Sequence, residues 1–178
     1  MQDDNTNRFE PAETFYYFRR AIEIIKLNQQ TMARVAGDRD ALGFGIAVTA
    51  IGGALAFIPG KSLAGVFVGA LSSILALFLF SGFVHIFCGY SKGKEEYWGF
   101  ARVVGLSGVL DWTVVVPLLG TVTTIWSVVI AVVAAQVVYQ STGVRATVAV
   151  LISALFLWMV TLSIFYGPLS FLVDIPNQ

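Results

Sequence analysis

Beyond residue 40 the chain is almost unbroken hydrocarbon, interrupted at four places by turn-forming residues. Apolar runs cover residues 41–58, 63–90, 100–118, 121–139 and 146–172. About 20 helical residues cross a bilayer core ~30 Å thick, so this pattern predicts five transmembrane helices in an all-α polytopic bundle. The breaks are Pro59-Gly60-Lys61, the polar run from Ser91 to Glu96, Gly120, and the stretch from Gln140 to Arg145 with Gly143. The runs 63–90 and 146–172 exceed a bilayer's thickness and are expected to tilt or project into the headgroups. Gly167-Pro168 is expected to end or kink the fifth, leaving residues 173–178 as a short tail.

Residues 1–40 read differently. The polar opening from Met1 to Arg8 has no apolar segment behind it, so no secretory signal is read. Between Pro11 and Ala36, Phe15, Phe18, Ile22, Ile25 and Met32 recur at helical spacing. Pro11 suits a first-turn position, and Glu10 and Glu13 favour the positive end of the helix dipole. Arg20, Glu23, Gln30 and Arg34 fall off the stripe. The segment is expected to be an amphipathic cytoplasmic helix in the inner headgroup plane, its arginines near anionic lipid. Packing against the cytoplasmic end of the bundle, or against a second copy, is the alternative.

Composition strengthens the membrane reading. Of 178 residues, 57% are apolar and 12% charged, with 17 glycines besides; soluble domains carry about 25% charged residues. A soluble fold of this length leaves about 30% of its surface in water, too much for so apolar a chain. A soluble enzyme, a nucleic-acid binder and a disulfide scaffold are therefore poor readings. The zero net charge argues against a polyanionic partner. The single cysteine, Cys88, excludes an internal disulfide and a multi-cysteine metal site.

Charge also sets orientation. Arg8, Arg19, Arg20, Lys26, Arg34 and Arg39 precede the first run; Lys92, Lys94 and Arg102 follow the second, and Arg145 the fourth. With five alternating spans only Lys61 falls on the other side. The N-terminus is then cytoplasmic and Gln178 outside, as in a multi-pass membrane protein. Tyr90, Tyr97, Trp98 and Tyr139 are expected at the inner surface, and Trp126 and Tyr166 at the outer.

The stretch Thr31-Met-Ala-Arg-Val-Ala-Gly-Asp-Arg-Asp-Ala-Leu42, which feeds the first span, resembles the opening of Yip1-domain proteins. So do Tyr97-Trp-Gly-Phe-Ala-Arg-Val-Val-Gly-Leu-Ser107, Pro117-Leu-Leu-Gly120, Ile125-Trp-Ser127 and the stretch from Gln136 to Ala146. The similarity covers roughly residues 31–170, in order. Many relatives carry a proline within the third span, where this chain reads Gly108-Val-Leu-Asp111. The resemblance implies a five-span, N-inside scaffold or adaptor that works by interaction. Eukaryotic members associate with Rab GTPases and with each other, and the short N-terminus looks more like prokaryotic members. The bilayer, other membrane proteins and a second copy are the expected partners. Candidate contacts to lipid or partner are Arg19, Arg20, Lys26, Arg34, Lys92, Lys94 and Arg102.

Asp111 is the candidate intramembrane polar site. At 1.5 Å per residue it lies about 3 Å from the middle of the run 100–118. An acid there costs about 2.5–3.5 kcal/mol on the insertion scale, so it should face the bundle interior. It reads either as a proton, cation or substrate anchor of a small transporter or channel component, or as a protonated carboxyl bonded to hydroxyls. Ser72, Ser73, Ser127, Ser153 and Thr161 are the hydroxyls within reach of that second reading. His85 and Cys88 lie one turn apart, but two ligands make a weak metal site. They read as a polar tip near the inner interface and a small buried hydrophobe. Small residues four apart (Gly65 and Gly69; Gly52 and Ala56; Ala101 and Gly105; Ser127, Ala131 and Ala135) read as packing seams, with dimerisation as the sharper alternative. No nucleophile elbow, zinc-protease helix or dinucleotide fingerprint occurs, so no catalytic residue, metal or cofactor is expected.

Overall fold

The computed structural model describes residues 11–57, 63–89 and 93–166. The polar opening, Pro59-Gly60-Lys61, Tyr90, Ser91, Lys92, Gly167-Pro168 and the tail 173–178 lie outside the described residues. Helix α1 spans Pro11–Ile25, α2 Gln29–Gly37, α3 Ala41–Phe57, α4 Leu63–Gly89 and α5 Lys94–Ser107. A 3-10 segment, Gly108–Val115, then leads to α6 at Pro117–Tyr139 and α7 at Gly143–Tyr166. Among the described residues there is no strand.

Three helices, α4, α6 and α7, are long and apolar enough to cross a membrane. The pair α2 and α3, bent by 109°, makes a fourth if it counts as one span. Five were expected, and the difference has two causes. Helix α3 has only 17 residues. The run 100–118 is not one helix: α5 begins among Lys94, Glu95 and Glu96, carries Arg102, and stops at Ser107. The break into α6 falls at Val116-Pro117 instead of Gly120. Proline drives the residue before it out of the α region, and Val116 is extended at φ −103°. Pro117 then takes the first helical position, where a missing N–H costs nothing. Gly120 is already inside the helix, donating its N–H to the Val116 carbonyl at 2.8 Å.

The N-terminal segment is two helices, not one. Leu27 adopts φ 62° and Asn28 caps α2, its side chain accepting from the Thr31 N–H at 3.1 Å. The face of α1 that packs inward is Tyr17, Ala21 and Ile24; of the expected stripe, Phe15, Phe18 and Ile22 are exposed, whereas Ile25 is partly buried and Met32 fully buried. Helices α1 and α2 pack on α5 and α6. The Trp126 indole N–H donates to the Ile25 carbonyl at 2.9 Å, satisfying a C-terminal acceptor of α1. Trp126 and the end of α1 therefore share one level of the bundle, which corrects the placement of Trp126 at the opposite surface. Tyr139 is likewise no interfacial residue, being buried between Phe100 and His85.

Backbones approach closely along α3. The Gly45 and Gly105 main chains meet, so a Cβ on Gly45 would sit 3.2 Å from the Gly105 carbonyl carbon. A Cβ on Gly53 would overlap Ser73 and the Gly69 carbonyl. The small-residue seams thus serve contacts within the chain, the source of helix association that lipid leaves available. One end of the bundle gathers the α2–α3, α4–α5 and α6–α7 turns. There Arg39 pairs with Glu95 at 3.6 Å, and the Arg145 Nε donates to the Phe87 carbonyl at 3.1 Å.

Two predictions follow from these contacts. Gly53→Ala should lower the thermal unfolding midpoint in detergent. Gly82→Ala, whose Cβ would meet nothing within 4 Å, should hold it or raise it, since alanine favours helix by about 1 kcal/mol over glycine. The second concerns pH. Thr31 Oγ1 donates to Glu23 at 2.6 Å and holds its carboxyl below the usual value of 4.5. The ionised form is thus favoured in the folded state, and the stabilisation is present above pH 4.5 and lost as pH falls through the lower folded value. Thr31→Val should flatten that acid dependence of amide-exchange protection in α1 and α2.

Candidate functional site

Helices α3 to α7 line an open cavity of about 420 Å³, and Asp111 joins its wall from the 3-10 segment. The segment is clamped on both sides of the acid. The Trp112 Nε1 donates to the Val48 carbonyl of α3 at 3.1 Å, and the Thr113 and Thr123 hydroxyls meet at 2.9 Å. Gly52 makes room, since a Cβ there would lie 2.9 Å from that of Asp111.

Six hydroxyl side chains line the same space: Thr49, Ser73, Ser107, Thr124, Ser127 and Thr161. Five of them donate to backbone carbonyls. Thr49 reaches Gly105 at 3.4 Å, Ser73 reaches Thr49 at 3.0 Å, and Ser107 reaches Val104 at 2.7 Å. Thr124 reaches Gly120 at 2.8 Å and Thr161 reaches Leu157 at 2.9 Å. Of the hydroxyls expected around Asp111, Ser73, Ser127 and Thr161 are in the cavity. Ser72 and Ser153 are not, each bonding a carbonyl of its own helix. No hydroxyl bonds the acid: among the described residues the Asp111 carboxyl has neither a hydrogen-bond nor an ion-pair partner. The hydroxyl bonds expected of a structural carboxyl are thus not formed among the described residues. Its side chain is exposed and forms part of the cavity wall.

In the cavity wall Thr124, Trp158 and Thr161 are exposed, whereas Leu77, Ala131, Thr49 and Ser107 are buried. Val84, Phe100, Leu106, Ile130 and Ala134 belong to a fully buried core.

Inside that core lies a polar group that sequence reasoning missed. Ser81 Oγ, His85 Nδ1 and the Tyr139 hydroxyl are buried without hydrogen-bond partners among the described residues. His85 sits between the Tyr97 and Tyr139 rings, at centroid distances of 5.9 and 5.6 Å. The Cys88 Sγ turns instead toward the Arg145 carbonyl on α7. His85 and Cys88 therefore face different neighbours, not a common ligand position. The i, i+4 spacing of Ser81 and His85 was the available signal.

The basic candidates separate into two groups. Arg19, Lys26, Arg34 and Lys94 are exposed, and Arg19 faces Glu23 at 3.9 Å. Arg20 lies 4.7 Å over the Tyr16 ring and bonds its hydroxyl at 2.6 Å. Lys92 lies outside the described residues. Arg102 is no surface contact: it is 5% exposed, and its Nη1 donates to the Ala36 carbonyl at 2.6 Å, capping α2.

No family model, no curated protein and no solved structure matches the chain. Nothing in these comparisons identifies the Yip1 family, so geometry and chemistry carry the functional reading.

Arg102→Met should destabilise the protein by about 1–3 kcal/mol through the orphaned Ala36 carbonyl, read as a lower unfolding midpoint. Arg34→Ala, at an exposed position, should leave that midpoint in place.

Proposed function

We propose that the chain is an integral membrane protein whose bundle cavity binds a small solute at Asp111, as a small transporter or channel component. The observation that carries this reading is the Asp111 carboxyl, which faces a cavity with no partner from the described chain. Acids within spans are costly and mark substrate or ion paths. An acid that the protein leaves unpaired has its place filled by what the cavity receives. The cavity is of the size that small-molecule sites have, about 300–1,000 Å³.

Orientation in this reading follows the charges. The end carrying Arg34, Arg39, Lys94 and Arg145 faces the cytoplasm. The buried core between Leu106 and Tyr139 closes the path, so passage requires that core to part.

A second reading, the scaffold or adaptor, draws on the exposed face of α1. Phe15, Phe18 and Ile22 stand beside Arg19 and Lys26 there, an amphipathic surface suited to lipid headgroups or a partner. The two readings part at Asp111. Purified protein in liposomes on a solid-supported membrane is expected to give transient currents on concentration jumps of potassium or tetramethylammonium. Asp111→Asn should cut them by about tenfold or more, the scale of a lost charge-assisted bond. Equal currents from wild type, Asp111→Asn and protein-free liposomes would sink the transport reading in favour of the scaffold.

A further inference from the structure

We infer that the cavity selects a small organic ammonium ion carrying an apolar body. The inference rests on the solute-binding reading above and names the class of solute.

Charge comes first. Asp111 is the one ionisable side chain in the cavity wall, so the site favours a cation and repels an anion. A neutral apolar occupant would leave a desolvated carboxylate without a counter-charge, which is costly. Hydrogen-bond polarity gives the same answer. Thr49, Ser73, Ser107, Thr124 and Thr161 have committed their hydrogens to backbone carbonyls, so their oxygens offer only lone pairs to a ligand. Carboxylate and hydroxyls together make a wall rich in acceptors, which suits the N–H donors of an ammonium group.

The donor set does not suit a bare divalent ion. A divalent cation such as calcium asks for six to eight oxygen ligands, roughly. Among the described residues no three His, Cys, Asp or Glu side chains gather. The rest of the wall is apolar: Leu77, Phe80, Val104, Val128, Leu157 and Trp158. Such a surface fits a hydrocarbon body, and the faces of Phe80 and Trp158 add cation–π attraction for an ammonium head.

The test is calorimetric titration of the full chain in lipid nanodiscs with benzylammonium and with benzyl alcohol, its uncharged counterpart of equal heavy-atom count. Wild type should bind the ammonium at least about tenfold more tightly, as a charge-assisted bond implies. Asp111→Asn should erase that preference while keeping the alcohol's affinity, and Asp111→Glu should retain it. Should Asp111→Asn fail to fold, Trp158→Leu, at an exposed position, provides the same reading by weakening the ammonium more than the alcohol. Equal binding of both ligands to wild type overturns the ammonium assignment and leaves the cavity a solute site. Binding of neither at millimolar concentration overturns the solute-binding reading as well.

Discussion

Hydrocarbon offers no hydrogen bonds, so each polar atom in this bundle must be satisfied by the chain itself or left facing a space that something else can enter. Most side-chain hydroxyls obey the first rule. Ser72, Ser107, Ser153 and Thr161 each donate to a carbonyl of their own helix, which satisfies their hydrogens and leaves only acceptor lone pairs. Trp112 and Trp126 obey it across helices, donating to Val48 and Ile25. Asp111 is the acidic exception in the cavity wall, together with Ser127 among the described residues, and Ser81, His85 and Tyr139 keep unpartnered atoms in the core.

Packing explains why the exception has room. Where glycines meet, at Gly45 against Gly105 and at Gly53 against Ser73 and Gly69, α3 is drawn close to its neighbours. Where larger side chains intervene, at Leu77, Phe80 and Trp158, α4 and α7 stand further off and the cavity remains. The same chain thus holds a dense core around Phe100 and Tyr139 and an open volume beside Asp111.

Much of this was legible from residue pattern alone. The apolar runs 63–90 and 121–139 correspond closely to α4 and α6, because long uninterrupted hydrocarbon admits few alternatives to helix. Asp111 was legible as the one acid of the run 100–118, but the spanning helix assumed to carry it is a 3-10 segment there. The α5 region was not. Its hydrophobicity continues smoothly across Ser107, where α5 stops, and the restriction that Pro117 places on Val116 marks only the end of the 3-10 segment that follows. The α1 stripe misled for a different reason: Phe15, Phe18 and Ile22 have the right spacing, yet Tyr17, Ala21 and Ile24 have it too and won the contact. Scattered hydroxyls such as Thr49 and Thr124 carry no signal in sequence, since the fold alone brings them to one cavity.

The 3-10 winding of Gly108–Val115 sets more than a boundary. Such a helix rises about 2.0 Å per residue against about 1.5 Å in an α-helix, so rewinding these eight residues would shorten the segment by about 4 Å. Each residue would also turn through about 100° instead of about 120°, swinging the acid around the segment's axis. Any such rewinding would therefore shift and turn the coil beside the acid by less than one helical pitch, a small change of length coupled to a change of bearing.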